Sequence, residues 1–456
     1  MPPDSYTNRP LLYSVFVFAA VLFYLSSHRP SSSQPHQHLA NPKQPTPLPP
    51  VPTQLDSPQR GNGVLTHRIV AVGDIHGDYP ALTKILRRAG LIDLRGSWIG
   101  GTDLLVQTGD IVDRGVDTIA CYRFMQSLRP QAEKAGGGVV SLLGNHEIMN
   151  ALGDWRYVNP ADVKSFGGER NRREAMLTGW IGQEWRHNYS ITARLPYLFS
   201  SFPSPSLVPT FPATPAGSSD QRFLGEPLSP SHSSHSDDYD EEASLDGSSS
   251  NPFSHAAASF VHGGITPEYL DSLSTSSPIS QINAIGRSLL YSLLSAPQAP
   301  LSLPRGATPE QREFWSERGP MWNREWALED EDAELCARVE RVCRKLKVRR
   351  LVMGHTPHFE GIVSRCAGRV LLIDTGISRA YGGSLSSLEI VHTLTPRSHL
   401  SFDEALSFGL IDLQSPEEGE KDTVWIEREV IKALYTDGRE DEELVRMERV
   451  VEVPQK

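Results

Sequence analysis

Thiols are scarce in this chain: Cys121, Cys336, Cys343 and Cys366 are scattered through 456 residues. None forms a CxxC pair, which excludes a zinc knuckle and a disulfide framework, so the four read as ordinary thiols. Excess positive charge is also missing, since 44 Lys and Arg stand against 55 Asp and Glu for a net charge of −11. A nucleic-acid polyanion is therefore not an expected partner. The surplus acid falls in short runs, Asp237–Glu242, Glu417–Glu420 and Glu440–Glu443, which read as solvated surface. No internal repeat is visible.

Long apolar runs are absent except for one, Leu11–Leu25, broken only by Ser14 and carrying no charge. It falls between a signal-peptide apolar region and a full membrane span, and no small-x-small cleavage site follows it. The favoured reading is an uncleaved single-pass anchor over residues 11–27, placing the protein at a membrane of the endomembrane system. A cleaved signal, a mitochondrial leader and a buried helix remain open. Arg9 against Asp4 on one flank and Arg29 with Lys43 on the other leave the topology undetermined.

Residues 28–66 and 200–255 are dense in Pro and Ser and lack apolar periodicity, so they read as a disordered linker and a low-complexity insert. Enough chain remains for one large α/β core. That core is expected over residues 67–395, followed by an acidic extension over 396–456 with a possible edge strand at Glu448–Val453. His67–Gly73, Asp103–Thr108, Gly138–Leu143, Ala258–Val261, Leu351–Met353 and Val370–Ile373 read as buried strands. Tyr79–Ala89, Val116–Leu128 and Glu331–Lys347 carry helical spacing. Strands apolar throughout, alternating with helices, imply a sheet covered by helices on its faces.

What distinguishes the chain is where its polar residues fall. Five strands run into glycine-flanked clusters: Gly73–Gly77 (GDIHG), Gly109–Gly115 (GDIVDRG), Gly144–Glu147 (GNHE), His262–Gly264 (HGG) and Gly354–Thr356 (GHT). Each delivers Asp, Asn or His at the C-terminal end of a strand, where open α/β sheets place their sites. Asp74, His76, Asp110, Asn145, His262 and His355 offer oxygen and imidazole donors without thiolates, a set suited to Mn, Fe or Zn. Asp74 and His76 can project from one turn toward one ion, and Asp110 from the neighbouring strand can bridge to a second. Two such ions clamp a phosphoryl group and activate a shared water.

GDIHG, GDIVDRG and GNHE resemble the signature of calcineurin-like metallophosphoesterases of the PPP protein-phosphatase type, over roughly Ile69–Ile390. Leu143 stands where that family has Arg before GNHE, and no SAPNYCG-like loop is present. Asp374–Ile377, Tyr381–Gly383, the GHT histidine and Gly319–Arg324 (GPMWNR) are similar to the Shewanella-like, bacterial-type branch instead. The resemblance implies a β-sandwich flanked by helices with a dinuclear metal site at the strand ends. It also implies that Asp74, His76 and Asp110 hold one ion, and that Asp110, Asn145, His262 and His355 hold the other. His146 would be the general acid, oriented by Asp113, and Arg114 would clamp the phosphate, with Arg324 and Tyr381 as further substrate contacts. The expected reaction is hydrolysis of a phosphorylated protein on Ser, Thr or Tyr by a metal-bridging hydroxide. The alternative is a small-molecule phosphoesterase such as a diadenosine polyphosphate hydrolase.

Overall fold

The computed structural model describes residues 63–198, 252–295, 301–411 and 423–453. The expected anchor and nearly all of the expected linker and insert lie outside these residues. Among the described residues, no helix is long and apolar enough to cross a membrane.

Among the described residues, twelve strands form two sheets. They are β1 (Leu65–Val72), β2 (Leu104–Gln107), β3 (Gly138–Leu142), β4 (Tyr189–Ser190), β5 (Thr192–Pro196) and β6 (Ala257–Val261), then β7 (Arg350–Met353), β8 (Val363–Arg365), β9 (Val370–Leu372), β10 (Ser386–Pro396), β11 (Val424–Tyr435) and β12 (Glu442–Glu452). One sheet has seven strands in the order β12-β11-β10-β1-β2-β3-β4, the other five in the order β5-β6-β7-β9-β8. Strands β1 to β4 run parallel to one another, as do β6, β7 and β9.

Side chains alternate across a strand, and here both faces are buried. On β1, Ile69 and Ala71 pack between the sheets with Leu195, Phe260, Val352 and Leu371. Val70 and Val72 turn the other way, onto helices carrying Leu82, Tyr122, Met125 and Trp185. Two sandwich faces, each covered outside by helices, explain why these strands are apolar throughout. The helix expected to stop at Leu128 runs on to Lys134, across Pro130, because Leu128 and Ala132 continue its buried stripe.

Two findings depart from the sequence reading. The acidic C-terminal residues contribute β11, which pairs with β10 over its whole length, and β12, which pairs with β11 at the sheet edge and begins six residues before the edge strand expected at Glu448–Val453. Glu427 and Glu429 of β11 are fully buried. Arg349 and Arg449 reach Glu427 at 2.7 and 2.6 Å, Arg350 grips Glu429 at 3.0 Å, and His392 meets Glu427 at 2.7 Å. This charged layer lies at the starts of β1 and β7, the end of the sandwich away from the strand C-termini. The second departure concerns the thiols. Cys336, on the helix Ala333–Leu346, and Cys366, in the turn after β8, are joined in a disulfide with Cα atoms 5.3 Å apart. Thirty residues separate them, so spacing alone gave no sign of the pair. Cys121 and Cys343 remain free and buried.

Candidate active site

The C-terminal ends of β1, β2 and β3 in one sheet and β6 and β7 in the other converge, carrying Asp74 and His76, Asp110, Asn145 and His146, His262, and His355. His76, Asp110, Asp113, Arg114 and His355 all adopt positive φ, from 45° to 71°. Left-handed backbone at non-glycine residues costs about 1 kcal/mol or more each, and it persists where surrounding structure over-determines it. Here it turns each donor inward at once. Two glycines make room: a Cβ at Gly144 would overlap the Asp110 carboxylate, and one at Gly354 would overlap that of Asp74.

Two donor groups result, each with its ligand atoms within 4.8 Å of one another: His76, Asp110 and His146, and Asp110, His262 and His355. Asp110 belongs to both. Its Oδ2 lies 3.7 Å from His76 Nε2, 3.4 Å from His262 Nε2 and 3.8 Å from His146 Nε2. Asp74 Oδ1 lies 3.8 Å from His262 Nδ1, and the Asp74 carboxylate accepts the His355 N–H.

Tautomers show what these donors lack. His76 Nδ1 sits 2.9 Å from the Val112 carbonyl and His262 Nδ1 3.0 Å from that of Thr108, so each donates there and leaves Nε2 with a lone pair. His262 Nε2 then faces Asn145 Oδ1 at 2.8 Å, Asp110 Oδ2, and His355 Nδ1 at 3.1 Å. The Asn145 amide nitrogen is turned away toward Met149 Sδ. Two oxygens and two ring nitrogens thus converge on one point, and this donor set fits a hard or borderline divalent ion. Among the carboxylates, burial, then Asp374 and Asp110, push Asp74 well above the ordinary aspartate range, and burial raises Asp374 to about 6, whereas against burial the neighbouring His262, His146 and His76 hold Asp110 well below it. Burial lowers His76 to about 3, keeping it neutral and able to ligate.

Beside this cluster, His146 Nδ1 lies 2.8 Å from Asp113 Oδ2. Burial opposes charge on His146, but Asp110 and Asp113 outweigh it and raise its pKa. The Arg114 guanidinium lies between the rings of Tyr157 and Tyr381, 4.3 and 4.9 Å from their centroids. Its Nε is buried without a hydrogen-bond partner, while the residue as a whole is half-buried. Tyr381 also lies 5.4 Å from the His76 ring. Arg324 is brought in as well, but its Nη1 is engaged by the His355 carbonyl at 2.8 Å and Thr356 Oγ1 at 3.0 Å.

Several residues of this neighbourhood carried no role in the sequence reading. Glu147, at zero exposure, accepts from the backbone N–H groups of Asp110, Ile111 and Gly144 at 2.9, 2.9 and 2.7 Å and from Tyr122 Oη at 2.9 Å. It ties the β2 and β3 turns together. Asn150 stands one helical turn beyond His146 and donates to Asp113 Oδ1 at 2.9 Å; its i+4 spacing was the one available signal. Asp374 stood in a segment noted only for its resemblance, and Tyr157 gave no signal.

The family model for the calcineurin-like phosphoesterase matches residues 67–359. The chain is 36% identical over 327 residues to an uncharacterized protein of Schizosaccharomyces pombe, covering 71% of this chain and 76% of that one. It is 26% identical to Shewanella-like protein phosphatase 2 of Arabidopsis thaliana, over 70% of this chain and 73% of that one. The crystal structure of a cold-active protein-tyrosine phosphatase of a Shewanella species shares the fold, with a TM-score of 0.52, 21% identity, and coverage of 83% of this chain and 80% of that one. A two-sheet sandwich flanked by helices, a His/Asp donor set at its strand ends and a family match over most of the chain agree: this protein belongs to the calcineurin-like phosphoesterases, metal-dependent hydrolases of phosphate esters.

Proposed function

We propose that the protein is a phosphoprotein phosphatase whose reaction runs on two divalent ions, Mn, Fe or Zn. The carrying observation is that both donor groups share the Asp110 carboxylate and that His146, a member of one of them, is paired with Asp113. Asp74, His76 and Asp110 would hold one ion, and Asp110, Asn145, His262 and His355 the other. The bound pair would neutralise phosphoryl oxygens and lower the pKa of a shared water. Arg114, stiffened between two tyrosine rings, binds the phosphoryl oxygens with its guanidinium fork. Tyr381 walls the pocket. Arg324 contacts substrate only in so far as its fork extends past the His355 carbonyl, so its first effect is to hold that turn. His146 Nε2 gives its proton to the departing oxygen, while Asp113 fixes the ring by accepting from Nδ1.

The phosphoprotein substrate is supported by the Arabidopsis relative, a Shewanella-like protein phosphatase. The apolar run Leu11–Leu25 would tether the domain to an endomembrane, and the Cys336–Cys366 disulfide favours the oxidising, lumenal side. Protease protection of the full chain in sealed membranes tests that placement.

The deciding experiment follows phosphate release from phosphoserine, phosphothreonine and phosphotyrosine peptides and from diadenosine tetraphosphate, with Mn²⁺, with chelator, and in His146→Asn. Chelator-sensitive release from peptides, lost in the variant, is the expected result. Release from the dinucleotide alone would overturn the substrate assignment.

A further inference from the structure

The helix Glu169–Leu177 belongs to none of the motifs, yet it sends one fully buried guanidinium behind the reacting histidine. Arg172 is 0% exposed. Its Nη2 lies 3.2 Å from Asp113 Oδ1, its Nη1 donates to Asn150 Oδ1 at 2.7 Å, and its Nε reaches Asp162 Oδ2 at 3.0 Å. Asn150 in turn donates to the same Asp113 Oδ1. Asp113 thus has its two oxygens divided: Oδ2 faces His146, and Oδ1 is pinned by Arg172 and Asn150. Trp155 stacks against the guanidinium at 4.9 Å.

We propose that Arg172 is a positioning residue for the general acid, locking the Asp113 carboxylate so that His146 Nε2 stays aimed at the leaving oxygen. A carboxylate held through one oxygen alone rotates about its Cβ–Cγ bond. One held through both presents a fixed lone pair to Nδ1 and fixes the imidazole plane. Lysine carries the charge without the planar fork, so it cannot engage Asp113, Asn150 and Asp162 together. Arg172 lies inside the protein and touches neither the donor cluster nor the substrate; its effect passes entirely through Asp113.

The inference rests on the reading of His146 as the acid, and leaving-group dependence separates the two. A general acid matters for a poor leaving group and little for a good one. The assay compares kcat and KM on phenyl phosphate and on 4-nitrophenyl phosphate for the wild type, His146→Gln, Arg172→Lys and Asn150→Ala. Bound metal is quantified in every sample. General acids contribute about 10²–10⁴-fold, and a misaligned one keeps part of that. Arg172→Lys and Asn150→Ala should therefore lose about tenfold or more in kcat on phenyl phosphate and less than about threefold on 4-nitrophenyl phosphate, with KM and metal content held. Equal losses on both substrates would mean that Arg172 serves only folding, and the proposal would fall. A steep dependence in His146→Gln with none in the other two overturns the proposal and spares the acid. No dependence in His146→Gln overturns the reading beneath it. Should Arg172→Lys not fold, Asn150→Ala tests the same contact, because it removes one of the two donors to that oxygen without leaving a buried charge unpaired.

Discussion

Substituting Glu147 by glutamine should cost far more than its isosteric shape suggests. Oε2 accepts from the N–H groups of Asp110 and Gly144, and Oε1 from Ile111 N–H and Tyr122 Oη. Tyr122 receives its own hydrogen bond from Trp185 Nε1, so its proton is committed to Glu147. Only donors surround the group, which leaves a protonated carboxyl no use for its hydrogen. Burial and then Asp110 push the pKa up, and the backbone donors pull it back. An amide keeps one oxygen and points an NH₂ at the two donors of the other. Two hydrogen bonds to a charged group, at about 1.5–3 kcal/mol each, are lost, for a total of about 3–6 kcal/mol. Urea unfolding followed by tryptophan fluorescence measures this directly. Tyr122→Phe removes one of these charged hydrogen bonds and leaves Trp185 Nε1–H without its acceptor, so it should cost about 2.5–6 kcal/mol in the same assay. Because Glu147 also spaces the β2 and β3 turns, Glu147→Gln should bind Mn²⁺ more weakly, whereas Tyr122→Phe should not. If the glutamine variant loses less than about 3 kcal/mol and binds Mn²⁺ as the wild type does, converging donors are not what holds these turns together.

Adding Mn²⁺ or Zn²⁺ to chelated protein should raise its stability by about 2.7 kcal/mol at a hundredfold excess over Kd. The rise should be largely absent in Asp110→Asn, as differential scanning fluorimetry would show. Reducing the Cys336–Cys366 bridge, which closes a loop over a separation of 30 residues, should cost about 3–4 kcal/mol. The comparison is urea midpoints with and without dithiothreitol, using Cys336→Ser as the control that no longer responds. Acid should destabilise the fold well before carboxylates titrate generally. His67, buried first and then repelled by His392, has its pKa lowered to about 3. Between its ordinary value of 6.5 and that value, the unfolded chain binds a proton that the folded one refuses, so stability drops as pH falls. Moving from about pH 7.5 to about pH 4.5 should therefore cost up to about 2.7 kcal/mol from His67 alone, at 1.36 kcal/mol per unit. Glu427 and Glu429, held below the glutamate range by Arg349 and Arg350 against the cost of burial, add loss in the same direction at lower pH. A flat urea midpoint across that window would remove this account.

Strands β1, β2, β3, β6, β7 and β9 were legible because burial on both faces leaves an uninterrupted apolar run, as at Ile69–Val72, whereas β4, β5, β8 and β10, shorter or mixed with polar residues, were not. Of the last two strands, only the end of β12 was legible, as an edge strand at Glu448–Val453, because the charges elsewhere mimic a solvated tail; β12 mixes exposed and half-buried positions along its length. In β11, Glu427 and Glu429 point inward, and only the distant Arg349, Arg350 and Arg449 make that tolerable. An acidic residue reads as surface until its partner is known, and here the partners lie about 80 residues earlier (79 for Arg350–Glu429) or on the next strand. Cys336 and Cys366 were opaque for the same reason.

The site divides along a similar line. Asp74, His76, Asp110, Asn145, His146, His262 and His355 each stand just past a strand on their own glycine-flanked turn, so chemistry and placement are written into a few adjacent letters. The residues that make those donors hold still are not local. Arg172 meets Asp113 across 59 positions and Asn150 across 22, and its own helix is rich in charged residues that look like surface. Glu147 sits inside a motif, yet its work is done on backbone N–H groups of another turn, 36 and 37 residues earlier. A donor needs only its side-chain type and a turn, whereas a group that orients it needs the assembled core to supply low dielectric and exclude water. That is why a charged residue at zero exposure, invisible as a motif, is the place where this fold has most to reveal about the precision of its chemistry.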